Sequence, residues 1–106
     1  MSTWITLIKR TPKGLEAIDQ SPQRSEMVRK LVGEHGGKVL GAWAMTGPWD
    51  MCWVTEFQDE QTAWQVLTMI QSMGYVTLET YQGIPVEQYN EMLVKGRDMM
   101  KKQRAA

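Results

Sequence analysis

An α+β sandwich is predicted by three features of the 106-residue sequence. Four short runs carry strand-like residues, two stretches between them show helical spacing, and a hairpin-length link, Gly47-Pro48-Trp49, joins the second and third runs. The order is β-α-β-β-α-β, followed by a further helix.

The first strand covers 3–10, where Trp4, Thr6 and Ile8 alternate with Ile5, Leu7 and Lys9. Residues 11–23 hold two prolines and a glycine without a clear period, so a loop is expected there. Ser21-Pro22 reads as a helix start, with Ser at the N-cap and Pro at the first helical position. That helix runs to about His35 and stops at Gly36-Gly37. Its apolar stripe is Met27, Val28, Leu31 and Val32, with His35 on the same side. Strands follow at 38–46 and 50–57. Pairing Thr46 with Asp50 sets Trp43 opposite Trp53 and Met45 opposite Met51. One face then carries Trp43, Met45, Met51, Trp53, Thr55 and Phe57, and the other carries Leu40, Ala42, Ala44, Cys52 and Val54. The small-residue face is the expected seat of the helices. Asp59 caps a helix over 60–73 with Ala63, Val66, Leu67 and Ile70 inward, and Gly74 ends it. A fourth strand spans 75–83 and a third helix spans about 86–103, beyond Gly83-Ile84-Pro85.

Two crossovers around a hairpin define the ferredoxin-like sandwich, a four-stranded antiparallel sheet of order 4-1-3-2. The expected division is a domain at 1–85 and a helical extension at 86–106. Two helices cover one face of such a sheet. Leaving the other face wet is unfavourable if it is apolar, so a homodimer or higher homo-oligomer packed sheet to sheet is expected.

Composition narrows the function. Twelve basic and twelve acidic residues cancel, so no global field attracts nucleic acid. The lone Cys52 permits no internal disulfide, which suits a reducing cytoplasm, and it is placed on the helix-facing side as a small hydrophobe. Neither a signal-peptide pattern nor a membrane-length apolar run is present, so a soluble cytoplasmic protein without membrane contact is expected. Nine Met and five Trp imply more apolar surface than a small core needs: an interface, a pocket, or both.

The string Gly47-Pro48-Trp49-Asp50 resembles the Gly-x-Tyr-Asp signature of the GYD domain family, with Trp in the Tyr place. Thr11-Pro12-Lys13-Gly14, Ser21-Pro22-Gln23-Arg24, Gly36-Gly37, Asp59, Gly74 and Thr80 extend the likeness over roughly residues 3–84. The resemblance implies a small ferredoxin-like domain related to dimeric α/β barrels, of largely undefined biochemical role. The last helix lies beyond the usual domain end.

Candidate chemistry is sparse. Gly47 and Pro48 suit a turn and Asp50 can accept its N–H groups. Trp49 is not required by a turn, and either covers the sheet end or lines a pocket mouth. Arg24, in the first turn of a helix, can clamp a carboxylate or pair with Glu26 or Asp19. His35 is either a helix-end residue, a proton carrier or, by analogy with some dimeric α/β barrels, a haem ligand. Glu56 and Glu79 are the remaining catalytic candidates. CxxC, HExxH, phosphate-loop, GxSxG and GxGxxG patterns are absent, and neither a metal nor a resident cofactor is expected. The basic tail, Lys95, Arg97, Lys101, Lys102 and Arg104, suits a helix C-terminus. An RNA-recognition reading of the sheet lacks its glycine-aromatic motif.

The first expectation is therefore a small oligomeric binding or accessory protein. It would hold an apolar or aromatic molecule between sheet and helices, near Arg24, Trp43, Trp49, Asp50 and Trp53. A cofactor-independent monooxygenase, isomerase or cyclase is the second, with His35, Glu56 or Glu79 as base. The third is a structural partner that docks through the last helix.

Overall fold

The computed structural model describes residues 1–105 and has the predicted layers. Its elements are β1 (Ser2–Arg10), α1 (Pro12–Glu16), α2 (Ser21–Glu34), β2 (Lys38–Ala44), β3 (Met51–Phe57), α3 (Glu60–Ser72), β4 (Val76–Gly83) and α4 (Val86–Ala105). The sheet runs β2-β3-β1-β4, the predicted order read from its other edge, and every neighbouring pair is antiparallel.

Local signals account for most boundaries. Asp59 Oδ1 accepts the Thr62 N–H at 2.7 Å and opens α3. The expected loop at 11–23 is instead a short helix and a 3-10 turn at Ile18–Gln20. Thr11 makes the difference: its Oγ1 accepts the Gly14 N–H at 3.2 Å, and Pro12 supplies a preset first turn. Ser21 is the first residue of α2 and not its N-cap. Its hydroxyl accepts from Arg10 Nη2 at 3.3 Å, which leaves the start of α2 without a side-chain cap.

The hairpin register differs from expectation by one residue. Trp43 pairs with Cys52, Ala42 with Trp53 and Ala44 with Met51, and a bulge at Leu40 separates the Val39 and Gly41 pairings. The one-residue slip reverses the faces of β2 relative to β3. Trp43 and Trp53 therefore point to opposite sides of the sheet.

The face predicted to stay open is the one beneath the helices. Trp53, Thr55 and Phe57 are buried there beside Trp4, Thr6 and Ile8 of β1. Trp4, Phe57, Val32, Ala63, Val66 and Ile70 form the core, with Val28, Leu31, Val39 and Leu67 packed around them. The outer face carries Ile5, Leu7, Trp43, Cys52, Val54 and Tyr81, as the strand pairings require. Cys52 thus lies on the outer face and not against the helices. Trp43 lies back over its own strand, where a Cβ on Gly41 would overlap its ring in this position.

Past β4, α4 leaves the sandwich. It contributes no buried residue among those described, and the molecule is correspondingly elongated at 63 × 31 × 20 Å.

Candidate functional site

The two-layer packing is incomplete at one end, where the first turn of α2, the C-terminal part of α3 and the inner face of the sheet leave a cavity of about 70 Å³. That is room for several waters or part of a small ligand. Its wall is mostly apolar: Ile8, Val28, Val32, Met51, Trp53, Leu67 and Ile70 contribute. Trp53 reaches it because β3 alternates Met51, Trp53 and Thr55 inward, and α2 passes over them.

Two polar atoms on this wall lack partners. Thr55 Oγ1 is buried without a hydrogen bond on a residue only 2% exposed. Arg24 Nη1 is likewise buried and unpaired. The hydroxyl of Thr6, on the same wall, is shared with Thr80 at 3.3 Å, so the deficit is particular to Thr55. The guanidinium of Arg24 is held by stacking, 4.6 Å from the centre of the Tyr75 ring, whose other cationic neighbour is Lys13 at 4.4 Å. The expected pairing of Arg24 with Glu26 or Asp19 does not form among the described residues. Arg10 also lines the cavity, with its Nη2 on Ser21. The wall has two arginines and, among the described residues, neither a carboxylate nor a histidine.

Of the predicted site residues, Arg24 and Trp53 come together here. Trp43 stands on the opposite face of the sheet and is 56% exposed. Trp49 is half-buried in the hairpin link. Asp50 is committed to the backbone: its Oδ2 accepts the Arg10 N–H at 2.7 Å and its own N–H donates to the Ile8 carbonyl at 2.8 Å. His35 caps the end of α2 and is exposed, away from the cavity wall. Glu56 and Glu79 pair with Thr3 and Leu7 and lie on the outer face. Glu79 accepts a hydrogen bond from the Tyr81 hydroxyl, which raises the Tyr81 pKa above its ordinary value. Thr55 and Tyr75 are cavity-wall residues that the sequence reading does not single out. Their signal would have been Thr55 among bulky apolar neighbours on an inward-facing strand, and Tyr75 directly after the helix-ending Gly74.

A second hollow of about 240 Å³ opens between α3 and β4, walled by Trp4, Trp64, Leu67, Gln71 and Leu78 among others. It has no charged residue in its wall among those described, and Gln71 Oε1 is already engaged by the Leu78 N–H at 3.2 Å.

The β-α-β-β-α-β order and the antiparallel β2-β3-β1-β4 sheet place the chain among the ferredoxin-like α+β domains. The chain belongs to the GYD domain family, whose model matches residues 4–93. It is similar to the glutamine synthetase and cystathionine beta-lyase binding protein of Thermus thermophilus, 32% identical over 87 residues, or 81% of this chain and 92% of that protein. Among solved structures it resembles FFRP-DM1, with a TM-score of 0.59, 17% identity, and coverage of 79% of this chain and all of that one. TTHA0845 of Thermus thermophilus is a further structural relative, with a TM-score of 0.52, 22% identity, and coverage of 80% of this chain and 95% of that one. The two structural likenesses show the fold.

Proposed function

We propose that this chain is an accessory protein that works as a homo-oligomer, binds a metabolic enzyme, and holds a small apolar or aromatic molecule in the cavity under α2. The observation that carries the reading is the apolar surface left outside the fold. Ile5, Trp43 and Tyr81 are 38%, 56% and 51% exposed on the outer sheet face, with Leu7 and Val54 between them. Four strands of seven to nine residues present a face of roughly 500 Å² in projection. Side-chain relief raises the accessible area toward the ~800 Å² per partner of a stable interface. A second copy is the occupant that matches this face in size and chemistry.

The name of the Thermus relative supports an enzyme as the further partner, and α4 is the element free to meet it. Val86, Tyr89, Leu93, Gly96 and Met100 recur at three- and four-residue steps along one side of that helix. Tyr89, Leu93 and Met100 are each at least half exposed. The enzyme alternative required His35, Glu56 or Glu79 as a base inside the pocket, and all three stand outside the cavity wall. Biolayer interferometry against glutamine synthetase and cystathionine beta-lyase from the same organism tests the accessory reading. Binding that is lost with Leu93→Asp supports it, and no binding to either enzyme contradicts it.

A further inference from the structure

We infer that the open edge of β4 and the hollow beside it receive an extended segment of a partner protein, which adds as an antiparallel fifth strand and sets one large uncharged side chain beside Trp64. This surface is distinct from the α4 contact proposed above, and a synthetic peptide tests it without any enzyme.

The two edges of the sheet, β2 and β4, are treated differently. An exposed edge presents free N–H and C=O groups that template further pairing, and lysine, proline or a bulge blunts it. β2 has Lys38 and the bulge at Leu40. β4, VTLETYQG, has no lysine and no proline, and its pairing with β1 runs from Thr3–Gly83 to Arg10–Val76 without a break. One contact gives the direction of its outer bonds. The Leu78 N–H turns away from β1 and donates to Gln71 Oε1 at 3.2 Å. Alternate residues of an antiparallel strand bond to the same side, so Thr80 and Gln82 also direct their N–H and C=O groups outward. Neither of these two N–H groups has a protein acceptor among the described residues. α4 follows Ile84 and Pro85 but buries no residue among those described, so it does not cover this edge.

The inward side chains of an added strand meet the second hollow. Leu78 and Thr80 pair with Ile8 and Thr6 on the inner face, and both line the hollow. An added strand lies about 4.8 Å further out, and its residue opposite Thr80 faces the same hollow. Trp64, 68% exposed, stands in that wall. The volume of about 240 Å³ admits one large side chain, and the uncharged wall selects an uncharged one. This is the division of labour in strand addition: backbone bonds hold the segment and a pocket reads alternate side chains.

The outer face selects the occupant. Glu79 lies there without a cationic partner among the described residues, and Lys9 Nζ donates to the Pro48 carbonyl. A lysine or arginine directly opposite Glu79 on the added strand is favourable. A second copy of β4 carries no basic residue, so a different protein with alternating apolar and basic residues is the better match.

Fluorescence anisotropy of a labelled peptide, acetyl-KVKFKVK-amide, with the full chain tests the inference. Saturable binding below millimolar concentration is expected. In the added strand the Phe N–H faces β4, whereas the N–H of the following Lys points away. N-methylation of the Phe is therefore expected to weaken binding at least about tenfold, and N-methylation of that Lys by no more than about threefold. Asp in place of the Phe, or Glu in place of every Lys, is expected to weaken binding severalfold. Gln82→Pro removes an outward N–H at an edge position, where proline is tolerated, and is expected to abolish binding. Trp64→Ala, at an exposed position, is expected to weaken it severalfold. Equal effects of the two N-methyl groups overturn strand addition. Unchanged binding in both protein variants overturns β4 as the seat. Dissociation of a homo-oligomer by Gln82→Pro gives the edge to a second copy and overturns the partner segment. No binding of any peptide at millimolar concentration overturns the inference and leaves the enzyme contact through α4 standing. The two N-methyl peptides on the unaltered chain decide strand addition even if Gln82→Pro does not fold.

Discussion

Asp50 fixes the shape of the GPWD link. Gly47 sits at φ +102°, a conformation that suits glycine. The Pro48 carbonyl accepts from Lys9 Nζ at 3.0 Å, and the Asp50 carbonyl accepts the Met45 N–H at 2.9 Å. Asp50 ties the tip to β1 through the Arg10 N–H as well. Asp50→Ala is expected to lose about 1–3 kcal/mol in urea unfolding, since the part-buried Arg10 N–H is left unpaired. No stability change on that substitution would show that water replaces the carboxylate there. The binding role predicted for Asp50 competes with this structural one, because both Oδ2 and the backbone are occupied. The half-buried Trp49 is tied by neither kind of bond. The place of Arg24 in the first turn of a helix was legible in the sequence. The unpaired Thr55 was not, because a threonine in a strand carries no mark of whether its hydroxyl finds a partner.

At the scale of elements, the Asp59 cap was readable, the Thr11 and Ser21 helix starts were not, and the strand faces were the least readable. Asp59 opens α3 as its position foretold. Its carboxyl lies below the ordinary aspartate range because the Thr62 backbone N–H, helped by the Thr62 side chain, hydrogen-bonds its charged form. A depressed folded pKa contributes stability above the unfolded value, roughly pH 4, and that contribution is lost as pH falls through the folded value. Asp59→Ala is therefore expected to lower the urea midpoint at neutral pH, with the gap closing under acid conditions; a gap independent of pH would contradict the cap's electrostatic origin. The faces were misread for a specific reason. The bulge at Leu40 shifts β2 by one residue, and alternation alone does not reveal a bulge. The choice of inner face then went to small residues, whereas β1 decides it: Thr6 pairs with Trp53 and Trp4 with Thr55, so the two strands bury their bulky rows together. The parity of Trp4, Thr6 and Ile8 was already visible in the first strand and was the better guide.

The whole molecule divides into a sandwich that buries its own core and surfaces that have no cover within one chain. Strand order followed from the sequence because two crossovers around a hairpin admit few arrangements. What covers the outer face did not, since a partner leaves no trace in one chain beyond exposed apolar residues such as Trp43 and Tyr81. No helix among the described residues is long and apolar enough to cross a membrane, so α4 is not a membrane span. Removal of residues 86–106 is expected to leave the sandwich folded, with its unfolding transition nearly unchanged, because α4 buries nothing among the described residues. Loss of cooperative unfolding in the shortened chain would place α4 in the folding unit.

We propose that the outer sheet face is a contact surface between copies. Sedimentation equilibrium of the full chain at micromolar concentration, alongside Ile5→Glu, is the test. Ile5 is 38% exposed in the single chain, so the glutamate is tolerated by the fold yet unpaired and desolvated if a second sheet covers it. A mass at least twice the 12.2 kDa of one chain is expected for the natural sequence, and a monomer for the variant. A natural chain that sediments as a 12.2 kDa monomer at every concentration would contradict it.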